Sequence, residues 1–205
     1  MEKNINYEMC KKCGGACCKE SGCVYNISDF ESMDYSYLKN EIDKGKISIS
    51  GQPVLLTSSA FTYLPYLRAR NVGAGEVDLI TKGGPCINLT ETGCSLSEDD
   101  RPGFGLMLKP TKIGESCDRC ESDLSWLYYN DVLEQLVKYY YGCKNRDIID
   151  IVVDEISKQI VDLKKKDEDG IPFTSAEKQI LYWYYKVMAN NQYFTPNEVT
   201  KMILL

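Results

Sequence analysis

Ten cysteines and no histidine define the chemistry available to this chain of 205 residues. Five of the thiols fall within CKKCGGACCKESGC, between Cys10 and Cys23, where Cys17 and Cys18 are adjacent. The others are Cys86, Cys94, Cys117, Cys120 and Cys143. Dense thiols can form disulfides or ligate a metal ion or an iron–sulfur cluster. Because histidine is absent, cysteine, carboxylate, water or a cluster's own sulfide would have to complete such a site.

The redox compartment favours one of these possibilities. The amino terminus, MEKNINYEMCKK, lacks the apolar stretch of a secretory signal, and no window approaches the ~18 apolar residues of a membrane span. We therefore expect a cytoplasmic protein, in which ordinary thiols stay reduced and metal ligation explains the cysteines better than disulfides do. The net charge of -6 argues against nucleic acid or an anionic membrane as a partner.

The spacing of the first cysteines, Cx2Cx3CC, is typical of a metal site. A two-residue gap lets both sulfurs turn toward one metal while the intervening amides point at them. The spacing of these cysteines matches neither that of bacterial ferredoxins nor that of radical S-adenosylmethionine enzymes. The preferred ligands are Cys10, Cys13, Cys17, Cys18, Cys86 and Cys94, followed by Cys23, Cys117 and Cys120. Cys143, on a predicted helix among tyrosines, is expected to be a bystander.

The pattern of apolar residues predicts a mostly α, α+β fold in two parts. Residues 1–120 form a cysteine-organised metal-binding region, with a few short strands predicted between Ile47 and Ile80 and an irregular segment over 83–120. Residues 121–205 carry apolar side chains at helical spacing and predict a helical bundle. The two parts could also make one compact domain.

Local signals give the expected starts and ends of helices. Capping boxes predict helices beginning at Ser28 and at Thr174, and Pro196 after Thr195 predicts another start. A helix around residues 35–44 should end at Gly45.

Three passages give the chain a resemblance to the YkgJ-like cysteine-cluster family, described as a zinc- or iron-chelating domain. CKKCGGACC resembles the family's opening Cx2Cx3CC, and GCVYNISDF is similar to its Gly-Cys followed by a capped helix. GGPCINLTETGCSLSEDDRPGFGLMLKP resembles its segment of two cysteines running into Arg-Pro. The resemblance covers most of residues 10–140 and implies a bound metal centre, zinc or iron–sulfur.

One position departs from this resemblance. Where the family has a cysteine shortly after Arg-Pro, Arg101-Pro102 here leads to Gly105. Either the site holds one thiolate fewer and keeps an open position, or Cys117 or Cys120 replaces the missing ligand. The dense thiols and neighbouring glycines favour a [4Fe-4S] cluster slightly over zinc. A purely structural zinc that supports folding or a protein interaction stays open as an alternative.

Whether the chain is an enzyme is left open by the sequence. A similar cysteine cluster occurs in flagellin lysine methylases, which suggests a metal-dependent or protein-modifying enzyme as an alternative. A methyltransferase needs a place for S-adenosylmethionine, and the only candidate for it, Gly73-Ala-Gly75, lacks the rest of a nucleotide-binding fingerprint.

Features outside the cysteines offer further hypotheses. Arg68 and Arg70 alternate along a predicted strand, so their shared face either binds an anion or forms a salt-bridged exterior. The acidic triplet 98–100 could supply a ligand or a base, or lie in a solvated loop. The tyrosines at 139–141 and 182–185 either pack in a core or offer a surface to a protein partner.

Overall fold

The structure is a computed structural model that describes residues 12–20, 22–55, 61–70, 77–80, 84–91, 93–97, 99–107, 124–174, 177–178 and 180–181. The expected ligands Cys10, Cys117 and Cys120 lie outside the described residues, as do the turn at 73–75 and the helix start at Thr195. The described part combines helices with a central sheet, which confirms the α+β class.

Two α-helices with described bounds precede the long strands. Helix α1 spans Ala16–Glu20 within the cysteine-rich segment, and α2 spans Tyr35–Asp43. The turn after α2 reaches Gly45 at φ 77°, a left-handed conformation that favours glycine. The predicted helix and its glycine stop are therefore confirmed.

The prediction that a helix begins at Ser28 is wrong. A 3-10 helix of three residues, Ile27–Asp29, occupies this position, and the chain is extended again at Phe30. The Phe30 ring packs against Tyr25, with centroids 5.2 Å apart, and against Trp126, at 6.2 Å. Tertiary packing of these rings overrides a local capping signal whose own contribution is about 1 kcal/mol.

A four-stranded sheet forms the centre of the fold. Its strands are β1 (Cys23–Val24), β2 (Ile47–Leu55), β3 (Phe61–Ala69) and β4 (Val77–Asp78), in the order β1-β3-β2-β4. Strands β2 and β3 form an antiparallel hairpin in which Ile47 lies opposite Ala69. Strand β1 adds antiparallel to β3, and β4 adds parallel to β2. The short runs predicted here are thus joined into two nine-residue strands.

The two faces of this sheet differ in polarity although both are buried. Residues directly opposite in paired strands project from the same face, and neighbours along a strand project from opposite faces. One face carries the apolar side chains Ile47, Ile49, Leu67 and Ala69. The other carries the polar side chains Ser48, Ser50, Tyr66 and Arg68, which are also buried.

Short elements follow Cys86 in the chain, and one of them contains Cys94. Strands β5 (Leu89–Thr90) and β6 (Gly93–Cys94) form a two-stranded ribbon, with Leu89 opposite Cys94. Helix α3 spans Gly103–Met107 and packs against β1. This part of the chain is irregular, as its lack of periodicity predicts.

The helices predicted after residue 121 are confirmed as far as the structure describes them. A 3-10 helix (Leu124–Tyr129) leads into α4 (Asn130–Tyr140), and α5 spans Ile148–Glu168. The Asp147 carboxylate caps α5 by accepting a 2.8 Å hydrogen bond from the Ile149 amide. The Thr174 capping box is confirmed, because the Thr174 amide donates to the Glu177 carboxylate and the Glu177 amide donates to the Thr174 hydroxyl.

Residues on both sides of the expected boundary near 120 share one apolar core. It joins Leu38 and Ile42 of α2 and the sheet to Trp126 and to the inner faces of α4 and α5. Helices α4 and α5 contact strand β3 as well as each other. Within the described ranges, no helix is both long enough and apolar enough to cross a membrane.

Candidate metal centre

Backbone hydrogen bonds bring the first cysteine group to the second. The Cys86 amide donates to the Cys18 carbonyl at 2.7 Å, and the Lys19 amide donates to the Gly15 carbonyl at 3.0 Å to begin α1. Gly15 adopts a φ of 76°, a left-handed conformation that favours glycine, and a Cβ there would also lie 2.6 Å from the Leu89 side chain. Cys17 and Cys18 are thereby held beside the segment that carries Cys86.

The thiols of this region surround a small buried cluster made of Cys23, Ala69 and Cys86. Cys23 and Cys86 are 9% and 5% exposed, and Cys18 packs against them half-buried. Ala69 belongs to the apolar face of the sheet, opposite Cys23 in the neighbouring strand. The two cysteine groups therefore meet against the apolar face of the sheet.

Hydrogen bonds stabilise the thiolate form of Cys86. The Cys18 thiol donates to the Cys86 sulfur, and the backbone amides of Asn88 and Cys23 also donate to it. These donors outweigh the opposing effect of burial and lower the pKa of Cys86 to about 6. Cys86 is thus largely a thiolate at neutral pH, which is the form that ligates a metal.

The partners of Cys86 are held protonated. Hydrogen bonding with Cys17 and with Cys86 raises the pKa of the Cys18 thiol far above its ordinary value, and burial adds to this. Burial is also the main cause that raises the pKa of Cys23, with a further increase from the negative charge of Cys86. In the metal-free state, Cys86 is therefore a thiolate, and Cys18 and Cys23 beside it remain thiols.

Helix α3 brings Gly105 against this cluster. The backbone amide of Gly103, at the start of α3, donates to the Asp29 carboxylate at 2.7 Å. The same carboxylate oxygen accepts a hydrogen bond from the backbone amide of Asn26 at 2.8 Å. A Cβ placed on Gly105 would lie only 2.6 Å from the Cys23 sulfur. The position that departs from the family resemblance thus lies against the cluster, next to the Cys23 sulfur.

Sequence reasoning missed Asp29 and Trp126 as positioning residues. Asp29 joins the segment after Cys23 to α3, and the Trp126 indole donates to the Tyr25 carbonyl at 3.1 Å. A carboxylate six residues after a cysteine carries no recognisable motif. Its partner amide at Gly103 is distant in the chain, so only the fold reveals the contact.

The remaining expected ligands differ in what the structure shows of them. Cys13 and Cys94 are half-buried and unoxidised. Cys143 packs against the main core and not against the cysteine cluster. Among the described residues, no group of three or more Cys, Asp or Glu side chains already has the arrangement of a metal site.

Other features named from the sequence lie apart from the cluster. Asp99 and Asp100 are exposed, and Asp100 accepts a 2.6 Å hydrogen bond from the Ser97 hydroxyl. Tyr139 is 45% exposed and packs edge-on against Tyr140. The tyrosines at 182–185 lie outside the described residues.

Comparison with known protein families, with curated proteins and with solved structures found no match.

Proposed function

We propose that this chain is a cytosolic protein that holds a cysteine-ligated metal centre, an iron–sulfur cluster or zinc. The observation that carries the proposal is the meeting of Cys17 and Cys18 with Cys86 above the buried Cys23. In a chain without histidine, these thiols are the donor groups from which a metal site can be built.

The donor set fits a thiophilic centre. Cys86 offers a thiolate stabilised by two backbone amides, an arrangement common around metal-bound sulfur. Cys17, Cys18 and Cys23 offer further sulfurs that lose their protons on ligation. Cys13 and Cys94 of the described chain, with Cys10, Cys117 and Cys120 outside it, complete the proposed ligand set.

The two kinds of centre imply different roles. A bound cluster would supply electron transfer or Lewis-acid chemistry, whereas a structural zinc would join the irregular segments and support folding. The crowding of thiols favours the cluster, as does the absence of any nitrogen ligand from histidine.

Anaerobic purification followed by elemental analysis and a visible absorption spectrum tests the proposal. Iron with acid-labile sulfide and a broad band near ~400 nm would identify a cluster. Zinc without colour would identify a zinc centre. Protein that contains neither metal, and takes up neither iron with sulfide nor zinc on anaerobic reconstitution, would overturn the proposal.

Matched cysteine variants locate the centre. Cys86→Ser should lower the bound metal by at least about tenfold at limiting metal, because it removes the preformed thiolate. Cys143→Ser is the control, since it also removes one thiol but lies against the other core. Equal metal content in the two variants would contradict a centre at Cys86.

A further inference from the structure

Strands β2 and β3 carry a polar patch on the buried face of the sheet opposite Cys23. We define this patch as Ser48, Ser50, Tyr66 and Arg68. Ser48 lies opposite Arg68 and Ser50 opposite Tyr66 in the antiparallel pair, so all four project from one face. Both serines are fully buried, and Arg68 and Tyr66 are each 7% exposed.

The hydrogen-bonding capacity of this patch is mostly unused. Within the described part of the structure, the Nε and Nη1 groups of Arg68 have no hydrogen-bond acceptor, and the hydroxyls of Ser48 and Ser50 make no hydrogen bond. The contact made by the guanidinium is a 3.1 Å hydrogen bond from Nη2 to the Tyr66 hydroxyl, with the group 5.3 Å from the ring centroid. Buried polar groups are nearly always paired, so a cluster of unpaired donors indicates a missing acceptor.

The charge of the patch is also unbalanced. Arg70, the next arginine on the same face, forms a buried ion pair with Asp78 of β4. That carboxylate therefore neutralises Arg70, and no ion pair to Arg68 occurs within the described part of the chain. A desolvated guanidinium without a counter-charge is unfavourable, and a bound anion would remove the imbalance.

The shape of the donor groups indicates which anion fits. Cross-strand neighbours have Cβ atoms about 5 Å apart, so the Ser48 hydroxyl and the Arg68 guanidinium can reach one small group together. A guanidinium with neighbouring hydroxyls is matched by the several oxygens of a carboxylate or phosphate. Tyr66 holds the guanidinium from one side and leaves Nε and Nη1 for the ligand.

From these observations we propose that the patch around Arg68 binds the oxyanion group, carboxylate or phosphate, of a small molecule. The patch shares no side chain with the metal centre, because Cys23 and Arg68 project from opposite faces of the sheet. Burial of the donors means that the bound oxyanion would be enclosed, which strengthens each of its hydrogen bonds.

Thermal unfolding of the full-length protein with two probes tests this site. Inorganic phosphate and succinate are each titrated after long equilibration, with KCl at matched ionic strength as the reference. We expect at least one probe to raise the unfolding midpoint saturably above the KCl reference. Phosphate alone would identify a phosphate site, succinate alone a carboxylate site, and both a site for either oxyanion.

Variants assign the effect to the patch. Arg68→Gln should weaken binding of the active probe by at least about tenfold, and Ser48→Ala, which preserves the sheet, should weaken it severalfold. Arg146→Gln is the control, because Arg146 is an exposed arginine paired with Asp154. The proposal is overturned if neither probe exceeds KCl, or if Ser48→Ala and Arg68→Gln both bind as the control does. A loss of metal from Arg68→Gln without any probe effect on the unaltered protein would also overturn it.

Discussion

The cysteine region and the helix–sheet core bury very different amounts of apolar surface. The core joins α2, the sheet, Trp126, α4 and α5 through many fully buried aliphatic side chains. The cysteine region has short elements and a buried cluster of only Cys23, Ala69 and Cys86. Apolar burial can account for the order of the helix–sheet core, whereas the cysteine region needs another source of free energy, which metal ligation would provide.

Metal removal should show the largest difference between the two regions. In metal-loaded protein, chelation is expected to reduce hydrogen-exchange protection of amides in α1 and β6 by at least ~100-fold. Amides of α5 should change by less than about threefold, because their helix packs in the other core. Equal loss of protection in α5 would show that the two regions unfold as one unit.

The buried ion pair between Arg70 and Asp78 should be the most sensitive point of the sheet. Their side chains are 6% and 4% exposed, so Arg70→Gln removes the cation from a buried ion pair and should lower the free energy of unfolding by about 3–5 kcal/mol. Urea titration measures the change. Arg146→Gln, at an exposed pair with a 2.8 Å contact, serves as the control and should cost about 0–1 kcal/mol.

A cavity in the helical part of the core should destabilise the protein without affecting the thiols. Ile156 of α5 is 1% exposed, and Ile156→Ala should lower the free energy of unfolding by about 2–5 kcal/mol. Val161 of the same helix is 68% exposed, so Val161→Ala should change it by within about 0.5 kcal/mol. Similar costs at the two positions would argue that α5 does not pack as described.

The smallest expected effect is the titration of one thiol in reduced, metal-free protein. Thiolate absorbance in the ultraviolet should show a transition near pH 6 from Cys86, which Cys86→Ser removes and Cys143→Ser retains. A transition that survives Cys86→Ser would assign it to another group.

The same titration fixes the sign of a pH effect on stability. The pKa of Cys86 is lower in the folded protein than the 9.0 of the unfolded chain. Its stabilising contribution to the free energy of unfolding is therefore full above pH 9 and is lost as the pH falls toward 6. The raised pKa of Cys18 acts in the opposite sense and destabilises the fold above pH 9, where the unfolded thiol ionises. The free energy of unfolding, measured between pH 6 and 10, should therefore show a maximum near pH 9.

Local patterns in the sequence determined the helices. Apolar spacing over a few turns predicts α2, α4 and α5, and the Thr174 capping box depends on residues three positions apart. Such signals act between near neighbours in the chain, so they can be recognised without the fold. The cysteine spacing likewise indicated thiolate chemistry, because the two-residue gap between Cys10 and Cys13 and the absence of histidine are properties of the chain itself.

Contacts between distant residues were decided only by the tertiary structure. The meeting of Cys18 with Cys86 and the approach of Gly105 to Cys23 follow from how the segments pack on the sheet. The alternation of Arg68 and Arg70 was visible in the sequence, but not that both would be buried and only Arg70 paired with Asp78. The physical reason is that strand register and burial depend on partners far along the chain, which no local period encodes.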